Sequence, residues 1–183
     1  LDEQRIDLGK WRDTLKKGVA MDTDKLVDHV QTDYLPHSVL IDCTASQAVA
    51  DRYAEWLKRG IHVITPNKRA HSGPIAYYQE LKRLSRGSRT HFLYEATVGA
   101  GLPVVQTLKD LVETGDEIRS ISGIFSGTLA YLFNVFDGTR SFSDIVRDAK
   151  SRGYTEPDPR DDLSGTDVAR EAAEIVLLEK DLA

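Results

Sequence analysis

The stretch Val39-Leu40-Ile41-Asp42-Cys43-Thr44-Ala45-Ser46 decides the fold. Its apolar half is a short continuous run, which predicts a buried parallel strand. Its polar half supplies a turn and, in Ser46, a hydroxyl able to cap a helix. The helix that follows carries Val49, Ala50, Tyr53, Trp56 and Leu57 as one apolar stripe. Gly60 stands where a left-handed residue closes a helix. Ile61-His62-Val63-Ile64 reads as the next strand. Upstream, Asp24 to Tyr34 places Leu26, Val27, Val30 and Tyr34 at helical spacing, with Thr23 as N-cap. Helix, strand, helix, strand with short joints is half of a doubly wound sheet.

The same alternation continues outward. Pro74 opens a helix over about 75–85, and His91-Phe92-Leu93-Tyr94 is a third strand. After the glycine-rich turn Val98-Gly99-Ala100-Gly101-Leu102-Pro103, a helix buries Val104, Val105, Leu108, Leu111 and Val112, and Gly115 ends it. Ile118 to Phe125 is strand-like, and Leu129 to Phe136 predicts a buried helix. Ser141 with Asp144 resembles a capping box for a helix that stops at Gly153. Tyr154 to Leu163 reads as a proline- and aspartate-rich loop, followed by a helix from about Thr166 to Leu178. The alternation is that of an α/β protein.

Composition narrows the possible functions. Of 183 residues, 40% are apolar and 29% charged, as in an ordinary folded protein. Lys and Arg number 24 against 29 Asp and Glu, a net charge of −5 with both signs interspersed. That balance argues against broad binding to nucleic acid or to an anionic membrane. No apolar stretch is long enough to span a bilayer. Cys43 is the single cysteine, so there is no internal disulfide or thiolate metal cage, and a reducing compartment such as the cytoplasm fits. Leu1-Asp2-Glu3-Gln4-Arg5 is not a signal peptide and lacks an initiating Met, which reads as the interior of a longer protein.

Several polar groups fall where α/β proteins place ligands, beyond the carboxyl ends of strands. Thr44 and Ser46 follow the first strand. Thr65-Pro66-Asn67-Lys68 follows the second, and a lysine there can meet a carboxylate, a phosphate or a carbonyl oxygen. On spacing alone, a cap, a turn residue and a surface turn account for these positions more simply. Glu95 next to the glycine-rich turn places a carboxylate beside several carbonyl oxygens, a donor set for a hard monovalent cation, although a plain helix entry also fits. The run from Glu156 to Asp167 holds five carboxylates and two prolines in twelve residues. The prolines stiffen it, and rigidly presented carboxylates suit a substrate bearing an amine and a hydroxyl, where the alternative is a solvated loop. Asp167 and Glu171 are spaced to share a helix face. The five histidines lack metal-ligand spacing. Cys43 is most simply a small core residue, and Trp11 and Trp56 are most simply packing anchors.

Five of these stretches, in this order, resemble homoserine dehydrogenases: Asp42-Cys43-Thr44-Ala45-Ser46-Gln47, Thr65-Pro66-Asn67-Lys68, Glu95 through Pro103, Ser122 through Thr128, and Gly153 through Arg170. The Glu156-Pro157-Asp158-Pro159-Arg160-Asp161-Asp162-Leu163 run is the most specific. The wording is most similar to the dehydrogenase part of bifunctional aspartokinase–homoserine dehydrogenases. The resemblance implies NAD(P)-dependent interconversion of L-homoserine and L-aspartate 4-semialdehyde, a step in threonine and methionine biosynthesis. It implies a partial Rossmann-like doubly wound sheet followed by part of an α+β substrate and dimerisation domain. Residues 1–93 would be the second half of the cofactor domain, and 94–183 part of the catalytic and dimerisation domain. Thr44, Ser46, Lys68 and Gly153 would face the cofactor, and Glu156 and Asp167 the substrate. Lys68 and Asp167 would serve the chemistry. Glu171 stands where the family has its catalytic lysine, a position at which a carboxylate cannot supply an ammonium. Glu95 with the carbonyls of Val98, Ala100 and Leu102 would hold a sodium ion. The small-molecule substrates would be the partners, without nucleic acid or membrane, in a homodimer or tetramer of the full-length parent in the cytoplasm or, in a eukaryote, a plastid. The family's glycine-rich dinucleotide loop is expected ahead of Leu1. A chain without it is expected to turn over weakly or not at all, and the alternative is a non-catalytic remnant acting as a subunit-association domain.

Overall fold

The computed structural model describes residues 6–32, 34–87 and 89–170, together with Ala172 and Ile175. Helices α1 (Trp11–Lys16) and α2 (Thr23–Val30) precede strand β1 (Ser38–Ile41). Helices α3 (Gln47–Ala50) and α4 (Tyr53–Lys58) lead to β2 (Ile61–Ile64), and α5 (Ile75–Gly87) leads to β3 (Phe92–Leu93). Then come α6 (Val104–Glu113), α7 (Gly127–Val135), α8 (Phe142–Ser151) and α9 (Pro159–Leu163), with helix α10 over residues 166–170. The three strands pair in parallel in the order β1-β2-β3. Val39 aligns with His62, and Val63 with Phe92.

The sheet is covered on one face. Ile61, Val63 and Phe92 point into a core with Ala50, Tyr53, Trp56 and Leu57 from α3 and α4, and Tyr78 and Leu81 from α5. Leu57, Ile61, Val63 and Leu81 are fully buried; each such side chain stabilises the fold by about 1.5–3 kcal/mol relative to exposure. Along the strands successive side chains alternate faces, so Val39, Ile41, Ile64 and Leu93 lie on the opposite, exposed side. The expectation of a wholly buried β1 is therefore corrected: only Leu40 of its apolar run packs against the core. A smaller cluster joins α7 to α8 through Leu132, Ile145 and Ala149.

Several boundaries differ from the sequence reading. Asp22, not Thr23, caps α2, accepting the backbone N–H of Asp24 and Lys25, and the helix ends at Val30, leaving Tyr34 exposed. The single helix expected after Ser46 is two short helices. Arg52 N–H bonds the Val49 carbonyl at 3.0 Å, a three-residue step that tightens the chain between them. Residues 118–125 form no strand, because no described strand lies beside them to complete a ladder. The expected loop 154–163 contains α9, which Asp158 caps and Pro159 opens. Trp11 is exposed rather than an anchor, since α1 buries no residue, whereas Trp56 is buried as expected. Cys43 is exposed, because it lies two residues past the end of β1, in the loop beyond the sheet rather than in the core.

Candidate functional site

Three loops meet beyond the carboxyl ends of the strands: 42–46 after β1, 65–70 after β2, and 153–167 between α8 and α10. They enclose a cleft of about 450 Å³ whose lining includes Thr44, Lys68, Arg69, Glu156, Asp167 and Arg170. Thr44 and Lys68 thus face Glu156 and Asp167, although ninety-nine residues separate Lys68 from Asp167.

The centre of the cleft is the ion pair of Lys68 Nζ with Asp167 Oδ1 at 2.6 Å, whose side chains are only 18% and 10% exposed. A charge pair so shielded from water interacts more strongly than a surface one. Each partner is aimed by local structure. Asn67 caps a 3₁₀ turn over Lys68–Ala70 by accepting the Arg69 N–H, which directs Lys68 across the cleft. Asp167 lies in the first turn of α10, after Gly165, whose φ of +74° only glycine adopts freely.

Glu156 sits beside this pair. Burial, together with the charge of Asp167, holds its carboxyl above the usual range, and Lys68 pulls against that rise. Its loop is held from beneath. Asp162, 1% exposed, accepts the Glu156 N–H at 2.9 Å, and Thr128 at the start of α7 donates to the Tyr154 carbonyl at 2.7 Å. Arg69 and Arg170 both approach Asp161, at 4.0 and 3.9 Å. The cleft therefore presents one lysine and two arginines among several carboxylates, an arrangement able to hold a small zwitterion by both ends.

The other expected site residues lie elsewhere. Ser46 caps α3, its hydroxyl accepting the Val49 N–H at 3.4 Å, and does not line the cleft. Gly153 ends α8 with φ +74°, also outside the lining. Glu95 turns its carboxylate onto the N-terminus of α6, accepting the N–H of Val105 and Gln106, with Val98, Ala100 and Leu102 in the adjoining turn. Gly99 in that turn has φ +70°, and a Cβ there would lie 2.7 Å from Val104 Cγ2. Glu171 lies outside the described residues.

Sequence reading missed Asp42 and Asp162. Both are buried carboxylates whose neighbours are backbone N–H groups or distant side chains. Asp42 was hidden at the end of an apolar strand, and Asp162 among four other acids of the same run. The one available signal was that a carboxylate closing a buried strand needs donors.

Fold and cleft together define a class: an α/β protein with a small parallel sheet of partial Rossmann-like form and a cleft beyond its carboxyl ends. A family model described as "Homoserine dehydrogenase, NAD binding domain" matches residues 4–95, and one described as "Homoserine dehydrogenase" matches 103–179. The chain belongs to the homoserine dehydrogenase family and carries part of its NAD-binding domain. It is 59% identical over 172 residues to a chloroplastic bifunctional aspartokinase/homoserine dehydrogenase 2 of Arabidopsis thaliana, covering 93% of this chain and 19% of that protein. It is 50% identical over 175 residues to a homoserine dehydrogenase of Schizosaccharomyces pombe, covering 92% of this chain and 46% of that protein. The chain thus spans less than half the length of either relative. Its fold is shared with a hyperthermophilic archaeal homoserine dehydrogenase solved with NADPH, at TM-score 0.75 and 23% identity, over 96% of this chain and 56% of that one. No helix among the described residues is long and apolar enough to cross a membrane.

Proposed function

We propose that the protein is the part of a homoserine dehydrogenase in which the cofactor and substrate sides meet, serving the NAD(P)-dependent interconversion of L-homoserine and L-aspartate 4-semialdehyde. The observation that carries this reading is the shielded Lys68–Asp167 pair, because it links the region matching the NAD-binding model to the region matching the dehydrogenase model. An association-only role would not call for it. The dinucleotide, when bound, supplies the hydride. Thr44 and Lys68, which line the cleft, would hold it, and Ser46 and Gly153, outside the lining, would shape the loops around it. Lys68 places an ammonium where the semialdehyde oxygen gains negative charge, stabilising it and ordering its proton. Asp167 fixes that ammonium and accepts from the substrate hydroxyl or amine. Glu156 takes the substrate amino group. Glu171 replaces the family's lysine and cannot donate as an ammonium does, so turnover by this chain is weak.

The remaining assignments follow the same reading. Residues 1–93 belong to the cofactor side and 94–183 to the substrate and dimerisation side of a homodimer or tetramer. The compartment is reducing, cytoplasm or plastid. Glu95 with the carbonyls of Val98, Ala100 and Leu102 would hold a sodium ion. The donor set is all oxygen, and the left-handed pair Gly99 and Ala100, φ +70° and +52°, turns the chain sharply beside the carboxylate, so the residues fit a hard cation.

Calorimetric titration tests the reading. L-Homoserine is expected to bind in preference to L-alanine, and Asp167→Asn to abolish that preference. Equal affinity for the two amino acids would overturn it.

A further inference from the structure

Beneath the cleft lies a buried polar unit centred on Asp42, which is 5% exposed. Its Oδ1 accepts the Thr44 N–H at 2.8 Å. Its Oδ2 accepts the Tyr53 hydroxyl in a short hydrogen bond and the Asn67 amide at 3.0 Å. Its backbone joins too: Asp42 N–H donates to the Ile64 carbonyl at 3.0 Å, and its carbonyl accepts the Thr65 hydroxyl at 2.9 Å. Burial works against its charge, yet the donors from Tyr53, Asn67 and Thr44 outweigh that and hold the carboxyl below its ordinary range. The unit is an anion in a dry place with its acceptor sites filled, the condition under which such a group rigidifies its surroundings.

The two ends of the unit differ in what they hold. Through Oδ1 it fixes Thr44, whose hydroxyl in turn accepts the Ser46 N–H at 3.1 Å. Through Oδ2 it fixes Asn67. The Asn67 amide also donates to the Ser46 carbonyl at 3.0 Å, and its oxygen accepts the Arg69 N–H at 3.1 Å. Asn67 is thus clamped by Asp42 on one side and caps the turn that carries Lys68 on the other. A rotation of Asn67 would turn the capped residues and swing the Lys68 ammonium away from Asp167.

We propose that Asp42 is a positioning residue: by clamping Asn67 it sets the pose of Lys68 toward Asp167, beyond any contribution it makes to overall stability. The proposal rests on Lys68 as the group that meets the substrate, but its test does not need turnover. The coupling between Lys68 and Asp167 is measured by a double-mutant cycle on urea unfolding of the chain, with Lys68→Met, Asp167→Asn and the pair. The cycle is then repeated on an Asp42→Asn background, where an amide donor faces the Asn67 donor.

A positioning role predicts that the coupling ratio of unfolding constants falls at least threefold on that background. A purely structural role predicts lower stability with an unchanged ratio, and that result overturns the proposal. The added substitution Asn67→Asp on the Asp42→Asn background restores a donor facing an acceptor and is expected to recover part of the coupling; no recovery also counts against the clamp. Should Asp42→Asn not fold, Tyr53→Phe removes only one donor, and the ratio is then expected to fall at least twofold, an unchanged ratio overturning the proposal. Failure to bind homoserine with the coupling loss intact would sink the dehydrogenase reading alone.

Discussion

The two ends of the small sheet contrast sharply. At the carboxyl ends of the strands, one buried carboxylate, Asp42, gathers donors from Tyr53, Asn67 and Thr44, and a cleft opens above them. At the amino ends, three histidines meet. His62 stacks on His91 with ring centroids 5.2 Å apart, and its Nε2 lies 3.3 Å from His37 Nδ1. His62 Nδ1 accepts the His91 backbone N–H at 2.9 Å, which fixes the proton of the neutral ring on Nε2. One end holds charge by satisfying it. The other favours a neutral His62, as partial burial and the neighbouring His91 and His37 lower its pKa. In a parallel sheet all strand ends of one kind share a side, so chemistry separates by end rather than by strand.

The contrast can be broken most strongly at the cleft. Lys68→Ala is expected to weaken L-homoserine binding at least ~100-fold in calorimetric titration, because Asp167 loses its shielded charge partner. His62→Gln at the opposite end should leave that affinity within twofold or so of the parent. Equal losses at the two ends would erase the distinction.

The next effect concerns the core both ends share. Leu57→Ala, at a fully buried site, should lower unfolding free energy by about 2–5 kcal/mol in urea titration. Trp11→Ala on the exposed α1 should change it by no more than about 0.5 kcal/mol.

His71 gives a pH signature. It is 1% exposed and stacked on Phe92, and burial, reinforced by Lys82 and Lys109, pushes its pKa down to about 3. The unfolded chain binds a proton on this ring near its ordinary value, whereas the folded chain refuses it. Its effect is therefore absent above about pH 6.5, and stability falls with a slope near 1.4 kcal/mol per pH unit as pH drops below that value. His71→Phe should remove that slope from urea midpoints recorded between pH 7 and 5.

The smallest effect has the opposite sign. Glu156 is held above its usual pKa, so its ionised form costs stability at neutral pH, and the cost disappears as pH falls through the raised value. Glu156→Gln should stabilise the chain at pH 8 by about 0.5–1 kcal/mol while weakening homoserine binding, as when a functional site carries strain. Loss of both stability and binding would show that Glu156 serves the fold instead.

Much of the fold was legible because it rests on local rules. Ser46 and Ser141 cap the helices they were expected to cap, and Gly60 and Gly115 take the left-handed conformations their positions implied. The cleft residues Thr44, Lys68, Glu156 and Asp167 were legible as separate motifs, each at a strand end or in a stiff acidic run. Their meeting was implied by the family resemblance and not by any local rule, since nothing local joins a turn after β2 to the first turn of α10. The failed strand over 118–125 has the same cause: apolar pattern states which residues prefer to be buried, while a strand exists only where a neighbour completes its hydrogen bonds.

The sequence by itself determined the α/β alternation, the caps at Ser46 and Ser141, and the family, because capping, periodicity and motif wording are short-range properties. Only the tertiary structure decided which face of the sheet is covered, that Asp42 lies in a dry pocket full of donors, and that Lys68 reaches Asp167. Those facts depend on burial and on contacts between residues distant along the chain, and burial changes what a charge or an imidazole costs.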